Sequence, residues 1–394
     1  MSRMGVIVSG LGGASALGSV IAAQMAAMHD PQPPLRPLAA HPETAGVYPD
    51  LLAGWIDDRS WLSGRKYGGA SNASVRAARM AVDDAGWTAT DLVDCHIFSG
   101  TSRGNTGELF GTWKARDPNR RLSTSNSMHS ETASAVSVEL GIRGPWLTLT
   151  NGCSSGLDAL ALAFLTLSSG AARRALVIGV DFPLMPELLH QYHDTGIISS
   201  NNVNNPYSAD TSGFLPGEAV AALALEVSDR SGPRILATLA NSDAYDNIGL
   251  PADSAPTIRL LEQTLKHPHL RHRRVSAICP HASGTLAHGM AEQKAITTAL
   301  HDASRTPVSL HFMKPFTGHS LGACGAIDAV LLCAFLRQQQ LPPNLPGLTT
   351  PDFDRFPAPD TSLMFDPASC VLKISAGMGG RNVIVAFGIQ HPPK

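Results

Sequence analysis

The segment WLTLTNGCSSGLDALALAFLTLS, at residues 146–168, is the strongest indication of the fold of this chain. Its apolar start predicts a short strand, Asn151 and Gly152 predict a tight turn, and the Ala/Leu-rich remainder predicts a helix. A sharp turn between a strand and a helix presents its central residue above the edge of the sheet. That residue is Cys153, so the sequence predicts a nucleophilic thiol at this turn.

Cys153 differs from the other five cysteines in its surroundings. A thiol in the first helical turn faces the positive end of the helix dipole, which predicts a lowered pKa for Cys153. Unpaired N–H groups at the same helix end can receive a developing oxyanion. The other cysteines lie among apolar or small residues without a C-x-x-C pair, which predicts buried thiols and neither disulfides nor a metal site. These five are Cys95, Cys279, Cys324, Cys333 and Cys370.

The turn has an echo later in the chain. GCSSG at residues 152–156 is similar to GHSLG at residues 318–322, and each motif leads into a long Ala/Leu helix. Two related halves would explain the repeat, although helix starts rich in small residues also recur by chance. We therefore predict a division into residues 1–230 and 231–394. A pseudo-twofold axis between such halves would bring Cys153 and His319 together.

Short β-branched runs alternate with helical stretches along the whole chain, which indicates an α/β architecture with buried strands. The predicted strands are residues 5–9, 94–99, 146–150, 175–180, 219–226, 235–239, 275–279, 372–375 and 383–387. The clearest predicted helices are residues 69–86, 153–168, 291–300 and 319–337.

Composition and charge exclude several classes of protein. Hydrophobic residues make up 43% of the 394 residues and charged residues 16%, which is typical of a globular protein. A formal net charge of −2 argues against a nucleic-acid-binding surface. No apolar run reaches the roughly 18 residues of a membrane span. The apolar run near the start of the sequence is too short for the core of a signal sequence. We therefore expect a cytoplasmic protein.

Two of the fifteen histidines are candidates for a catalytic role beside the thiol of Cys153. His281 follows the predicted strand 275–279, and active sites of open α/β sheets gather on loops at strand ends. His319 opens a predicted helix in the motif KPFTGHSLG, which also contains Lys314. By contrast, the stretch HPHLRHRR at residues 267–274 is polar and basic, so its histidines are expected to be solvated surface residues.

The order of these motifs resembles the β-ketoacyl-acyl-carrier-protein synthases, the type II ketosynthases of the thiolase fold. The resemblance rests on a cysteine elbow, a histidine loop, the Lys314-to-Gly322 segment and a Gly-Met-Gly-Gly-Arg-Asn turn at residues 377–382, and it covers essentially the whole chain. It implies two duplicated βαβαβαββ halves in a five-layered α-β-α-β-α architecture. It also implies an acyltransferase that condenses an acyl thioester with malonyl-acyl carrier protein, without a cofactor.

The resemblance implies a role for each matching residue. Cys153 would hold the acyl group, His281 and His319 would support decarboxylation of the malonyl group, and Lys314 would orient them. The remaining roles are the following: backbone N–H groups of Cys153 and Met378 as oxyanion hole, Ser283 and Thr285 for the pantetheine arm, Met378 and Ala376 as the gate of the acyl pocket, and Arg65 and Lys66 for docking of the carrier protein. A homodimer, or a heterodimer with a related subunit, is also implied.

Several positions depart from the family pattern. Arg381 replaces a threonine, Gly289 replaces an acidic residue, and Asp328 is shorter than the usual glutamate. Two alternatives are also open: a non-decarboxylating acyltransferase on the same fold, and a non-catalytic partner subunit of a ketosynthase. Fatty acid and polyketide pathways, including polyene synthesis, are equally compatible with the motifs.

Overall fold

The computed structural model describes residues 4–44, 46–110, 122–301 and 306–390. Within them lie fourteen strands and twelve helices. The strands are β1 Gly5–Ala14, β2 Arg36–Pro37, β3 Leu52–Ala53, β4 His96–Gly100, β5 Trp146–Leu149, β6 Arg174–Asp181, β7 Ala219–Ser228, β8 Gly232–Ser242, β9 Arg274–Cys279, β10 Ser309–Leu310, β11 Gln340–Leu341, β12 Leu363–Met364, β13 Ser369–Gly377 and β14 Arg381–Gln390. The helices are α1 Ile21–Ala27, α2 Gly69–Ala85, α3 Ala89–Leu92, α4 Gly107–Phe110, α5 Ser123–Asn126, α6 Glu131–Leu140, α7 Ser155–Ser168, α8 Pro186–Asp194, α9 Ala255–Leu265, α10 Leu286–Ala299, α11 Lys314–Thr317 and α12 Cys324–Arg337.

The strands of the two halves of the chain pair in the same order. The large sheet runs β10-β9-β13-β14-β8-β1-β7-β6-β4-β5, and only the pair Ile7 and Arg234 joins β1 to β8. On either side of that junction, the first strand of the half pairs antiparallel with the last, and the last pairs antiparallel with the next strand, β6 or β13. The three strands farthest from the junction, β6-β4-β5 and β13-β9-β10, are parallel. The chain is therefore built from two copies of one five-stranded topology, and the predicted division at residue 230 falls between β7 and β8.

Helices α7 and α12 form the central layer between the two five-stranded halves of the large sheet, which we call the first and second half-sheets. Both pack into one apolar core with strands from each half. They approach closely because glycines face each other: a Cβ on Gly156 would lie 2.7 Å from the carbonyl oxygen of Gly322, and one on Gly325 would lie 2.7 Å from the Cβ of Leu157. The turns that begin the two helices, at residues 152–154 and 321–323, consequently lie side by side.

The outer layers close the sandwich on both sides. Helices α2 and α6 cover the first half-sheet (β1-β7-β6-β4-β5), and α9 and α10 cover the second (β8-β14-β13-β9-β10). Alanines on α2 pack against glycines of β1, since a Cβ on Gly10 would lie 1.9 Å from the carbonyl oxygen of Ala81. The result is the five-layered α-β-α-β-α arrangement that the sequence predicts. Every strand and helix predicted from the sequence is present, with ends that differ by a few residues.

No helix in the described part of the chain combines the length and the apolar character needed to cross a membrane.

Candidate active site

Cys153 lies in a tight turn between β5 and α7. Gly152 adopts the left-handed conformation (φ +60°), which allows the chain to reverse before the cysteine. The Ser155 hydroxyl fastens the turn, since it donates to the Gly152 carbonyl oxygen (2.6 Å) and accepts from the Asn151 N–H (2.8 Å). A Cβ on Gly152 would lie 3.6 Å from the Met378 nitrogen, so the loop after β13 borders the same turn. The backbone groups expected to hold an oxyanion are thus close together.

The Cys153 thiol lies in an apolar cluster with Leu184, Tyr192, Phe214 and other residues. Burial raises the pKa of Cys153 to about 12, and the nearby thiol of Cys324 adds to the rise. The prediction of a lowered pKa is therefore wrong. Desolvation of a thiolate in this cluster outweighs the helix end, which begins with a single 3₁₀ turn at residues 152–154. The resting group is a thiol that must lose its proton as it reacts.

His281 and His319 lie together above the helix starts. His281 follows β9 and His319 follows α11, yet their ring centroids are 5.3 Å apart at an interplanar angle of 81°. Both rings are buried. Burial holds the pKa of each well below its usual value, and the charge of Lys314 lowers it further. Both histidines are therefore neutral imidazoles, each with one N–H that can donate.

A ring contact links this pair to the thiol. The Phe214 ring packs edge-on against His319 at 5.2 Å and belongs to the apolar cluster around Cys153. The structure thus brings the predicted nucleophile and both predicted histidines to one region at the starts of α7 and α12. Within the described residues, the Nδ1 atoms of both histidine rings lack a hydrogen-bond partner.

Lys314 is buried and reaches His281 through the backbone. Its Nζ donates to the His281 carbonyl oxygen at 2.5 Å and lies 3.8 Å from Asp328 Oδ2. The shorter contact of that carboxylate is with Lys373, at 2.7 Å. Asp328 is one methylene shorter than the family glutamate and sits nearer Lys373 than Lys314. The charge of Lys314 nevertheless lowers the pKa of both imidazoles.

Three residues at this site were missed in the sequence. Glu292 accepts the N–H groups of His281 and Ala282, each at 2.7 Å, and so fixes the loop that carries His281. The His288 ring packs 4.8 Å from that of His281. Lys373 has its Nζ 3.0 Å from the Pro280 carbonyl oxygen. A lysine inside an otherwise apolar strand was a detectable signal, whereas the other two looked like ordinary helix residues.

The residues predicted to contact the pantetheine arm and the acyl group border the same site. The hydroxyls of Ser283 and Thr285 are 3.0 Å apart on the loop that precedes α10. Met378 is 43% exposed, and its part as a gate stays a prediction. Ala376 is buried in β13, where it pairs with Asn382.

Two departures from the family pattern have structural explanations. Arg381 binds Asp158 through Nη2 (2.6 Å) and Nε (3.0 Å), and Asp158 also accepts from Ser154 and Asn151. Arg381 therefore stabilises the cysteine turn. It is not part of the group of Lys314, Asp328 and Lys373, which we call the lysine cluster. Gly289 is glycine because a Cβ there would lie 2.9 Å from the Pro206 carbonyl oxygen, which leaves no room for an acidic side chain.

Arg65 and Lys66 are exposed at the approach to α2. Lys66 Nζ lies 2.9 Å from Glu139 Oε1 and 4.9 Å from the centroid of the Tyr67 ring. The pair is accessible from solvent, and its part in docking stays a prediction.

The strand order and the paired helix starts define a protein of the thiolase-like fold. Three solved ketosynthase structures share it over nearly their whole length. The ishigamide ketosynthase/chain length factor has a TM-score of 0.84 at 22% identity, covering 98% of this chain and 99% of that chain. A beta-ketoacyl synthase from Burkholderia phymatum and a type II PKS ketosynthase in complex with its acyl carrier protein each have a TM-score of 0.82 at 22% identity and the same coverage.

Sequence comparison identifies the family. The beta-ketoacyl synthase N-terminal domain matches residues 66–230, and the beta-ketoacyl synthase C-terminal domain matches residues 234–347. The 3-oxoacyl-[acyl-carrier-protein] synthase 2 of Mycobacterium leprae is 27% identical over 82% of this chain and 81% of its own length. Two polyketide beta-ketoacyl synthase relatives, from Streptomyces cyaneus and Streptomyces halstedii, are each 30% identical, and this chain spans 62% and 65% of their length. The chain belongs to the beta-ketoacyl synthase family.

Proposed function

We propose that this protein condenses an acyl group on Cys153 with malonyl-acyl carrier protein, with loss of carbon dioxide, in fatty acid or polyketide synthesis. The observation that carries the proposal is the grouping of two buried, neutral imidazoles, His281 and His319, under the charge of Lys314 and beside the cysteine turn. Neutral N–H donors aimed at one point stabilise negative charge that exists only during reaction.

The first half-reaction loads the enzyme. The Cys153 sulfur forms a bond to the carbonyl carbon of the acyl thioester, and the bond from that carbon to the carrier sulfur breaks. The raised pKa of Cys153 means that the thiol proton leaves as the sulfur attacks, and the leaving carrier thiolate recovers a proton. The backbone N–H groups of Cys153 and Met378 stabilise the tetrahedral oxyanion.

The second half-reaction forms the carbon–carbon bond. The malonyl carboxylate leaves as carbon dioxide, and its bonding electrons form an enolate whose oxygen accepts hydrogen bonds from His281 and His319. The enolate carbon then attacks the acyl carbonyl on Cys153. Collapse of this intermediate releases the β-ketoacyl carrier product and returns the sulfur as a thiolate, which takes up a proton.

Release of labelled carbon dioxide from malonyl carrier protein tests the proposal against the non-decarboxylating acyltransferase. Loss of one donor typically costs about a hundredfold in rate, so His281→Ala and His319→Ala should each show a loss of that order. The exposed His190 provides a matched control, and His190→Ala should keep the wild-type rate. An acylated wild type that releases no carbon dioxide would overturn the proposal in favour of the acyltransferase.

A non-catalytic partner subunit is the second alternative. Incubation with an acyl donor followed by mass spectrometry should show one acyl adduct on Cys153, absent in Cys153→Ala. An unmodified chain would support the partner subunit.

We also propose that carrier protein docks at Arg65 and Lys66, since an acidic partner is attracted to exposed basic residues. The double variant Arg65→Glu/Lys66→Glu should bind carrier protein more weakly and with less dependence on salt. Arg79→Glu is a matched control, because Arg79 pairs with the same Glu139 as Lys66 does. An affinity and a salt dependence that stay unchanged in the double variant would place the docking surface elsewhere.

Edge strand β5 supports the proposal of a dimer. Trp146 and Leu147 are 41% and 52% exposed on this strand, and unpaired strand edges readily pair with another chain. A homodimer through β5 should dissociate in Leu147→Lys, as measured by analytical ultracentrifugation. A wild type that is monomeric alone and dimeric only with a related subunit would indicate the heterodimer.

A further inference from the structure

A cavity of about 1310 Å³ lies at the opposite end of α7 from Cys153. It opens between the end of α7, the start of β8 and the stretch at residues 268–273. Since α7 has 14 residues, the cavity is about 21 Å from the cysteine turn. We call it the basic cavity, because its charged lining consists of Arg173, Arg234, Arg271 and Arg273, with His269 and His272 beside them.

The positive charges of the basic cavity are not balanced by acidic side chains in its described lining. No aspartate or glutamate is among the described residues that line it. In the same part of the chain, none of the four arginines forms an ion pair, although eight other arginines do. The sequence predicted that the histidines of this basic stretch are solvated surface residues. In the structure, residues 268–273 form one wall of a concave site whose positive charge is not balanced by acidic side chains in its described lining.

Arg234 and Arg273 are the most confined of these cations. The Arg234 guanidinium lies directly over Gly5, where a Cβ would come within 1.4 Å of its Nη2. Its Nε is buried without a hydrogen-bond partner in the described residues. Arg273 uses Nη1 to hold the carbonyl oxygens of Pro367 and Ser369, at 2.9 and 3.0 Å. Burial lowers the pKa of Arg234, and the charge of Arg273 lowers it further.

We propose that the basic cavity binds a phosphate monoester, whose dianionic head bridges Arg234 and Arg273. Two half-buried guanidinium groups that repel each other are stabilised most by a ligand carrying two negative charges. A phosphate monoester carries about −1.5 to −2 at neutral pH, whereas a carboxylate carries only one charge. The planar fork of arginine also matches phosphate oxygens in pairs.

The other walls of the cavity indicate what the phosphate is attached to. Phe164 and Leu167 from α7, with Val227 and Leu236 from the sheets, present apolar side chains beside the arginines. The volume greatly exceeds that of a phosphate ion. Phe164, Leu167 and Leu236 are at most 9% exposed, so an apolar body attached to the phosphate would gain mainly van der Waals contact with them and with the half-buried Val227. The ligand class is thus an amphiphilic phosphate monoester.

Isothermal titration calorimetry with inorganic phosphate, octyl phosphate and octanoate tests both parts of the proposal on the intact protein. Octyl phosphate should bind at least about tenfold more tightly than octanoate, because of its second charge, and more tightly than inorganic phosphate, because of its chain. Octanoate binding as tightly as octyl phosphate would overturn the dianion. Equal affinity for inorganic and octyl phosphate would overturn the apolar body, and no binding of either phosphate would overturn the site.

Variants separate the site from general charge. Arg234→Gln/Arg273→Gln should weaken octyl phosphate binding by at least about tenfold. The exposed Arg271 allows a second variant that does not disturb the core, and Arg271→Gln should weaken binding several-fold. Arg79→Gln removes one positive charge, as Arg271→Gln does, but from a distant surface. This variant should bind octyl phosphate as the wild type does. Octyl phosphate should raise the unfolding temperature of wild type and Arg79→Gln but not of the double variant. Equal shifts in all of them would overturn the assignment.

Discussion

At the scale of single residues, position and ionisation of the nucleophile have different origins. The Asn151–Gly152 turn fixes where Cys153 lies, and a five-residue motif is enough to predict it. The ionisation depends on Leu184, Tyr192 and Phe214, which come from distant parts of the chain and bury the thiol. Such desolvation cannot be deduced from local sequence, and this explains why the expected pKa was wrong in direction.

Alkylation of Cys153 should therefore depend strongly on pH. With a pKa of about 12, the thiolate fraction rises about tenfold for each pH unit up to that value. The rate of modification by iodoacetamide, followed at residue 153 by peptide mass spectrometry, should keep rising from pH 7 to pH 10. A rate that levels off near pH 7 would mean that the helix end controls the thiol after all. Cys324→Ala, which removes the neighbouring thiol, should raise the rate modestly at every pH.

Ala282 is a residue at which the backbone is strained. Its φ of +44° is unfavourable for a side chain with a Cβ, and it persists because Glu292 holds the N–H groups of residues 281 and 282. Ala282→Gly relieves this strain but also removes a buried methyl group and adds backbone freedom, so the free energy of unfolding measured by urea denaturation should change by less than about 0.5 kcal/mol. Ala291→Gly, within α10, should lower it by about 1 kcal/mol. An equal loss of stability in both variants would contradict the assigned strain.

At the scale of elements, the hydrophobic pattern predicts strands and helices well, but it does not predict the polar side-chain contacts between them. The apolar runs of β6, β7 and β14 and the Ala/Leu helices α7 and α12 carry their own signals. By contrast, the contact of Arg381 with Asp158 joins β14 to α7 across 223 positions of sequence. Each residue alone looks like a departure from the family or an ordinary helix acid. Only the folded arrangement shows that they brace the cysteine turn together.

Loss of the contact between Arg381 and Asp158 should disturb the cysteine turn more than it disturbs the lysine cluster. Arg381→Thr leaves the buried Asp158 without its cation, and we expect a loss of about 2 kcal/mol in the free energy of unfolding together with slower acylation of Cys153. A double-mutant cycle with Asp158→Asn should give a coupling of about 1 to 3 kcal/mol. Additive effects of the two substitutions would show that the contact contributes no stability of its own.

At the scale of the whole molecule, the duplicated topology explains why the site lies where it does. Equivalent turns open α7 and α12, and the glycine contacts between these helices bring the turns together. Cys153 thus comes from one half and His281, His319 and Lys314 come from the other. The short repeat in sequence predicts this meeting. The interlocking of Lys314, Asp328 and Lys373 depends on side-chain lengths inside a packed interior, which no repeat encodes.

The same burial of histidines should make the stability of the whole protein depend on pH. His281, His288, His311 and His319 all have pKa values lowered by burial, that of His311 to about 4. Their folded pKa values lie below the unfolded value of about 6.5, so the unfolded state binds more protons and stability is lost as pH falls below 6.5. His311 alone should contribute a loss of about 2 kcal/mol between pH 7 and pH 5. Denaturation of His311→Asn should show a pH dependence smaller by that amount, whereas His190→Ala should match the wild type; equal slopes in all three proteins would show that His311 is not held neutral.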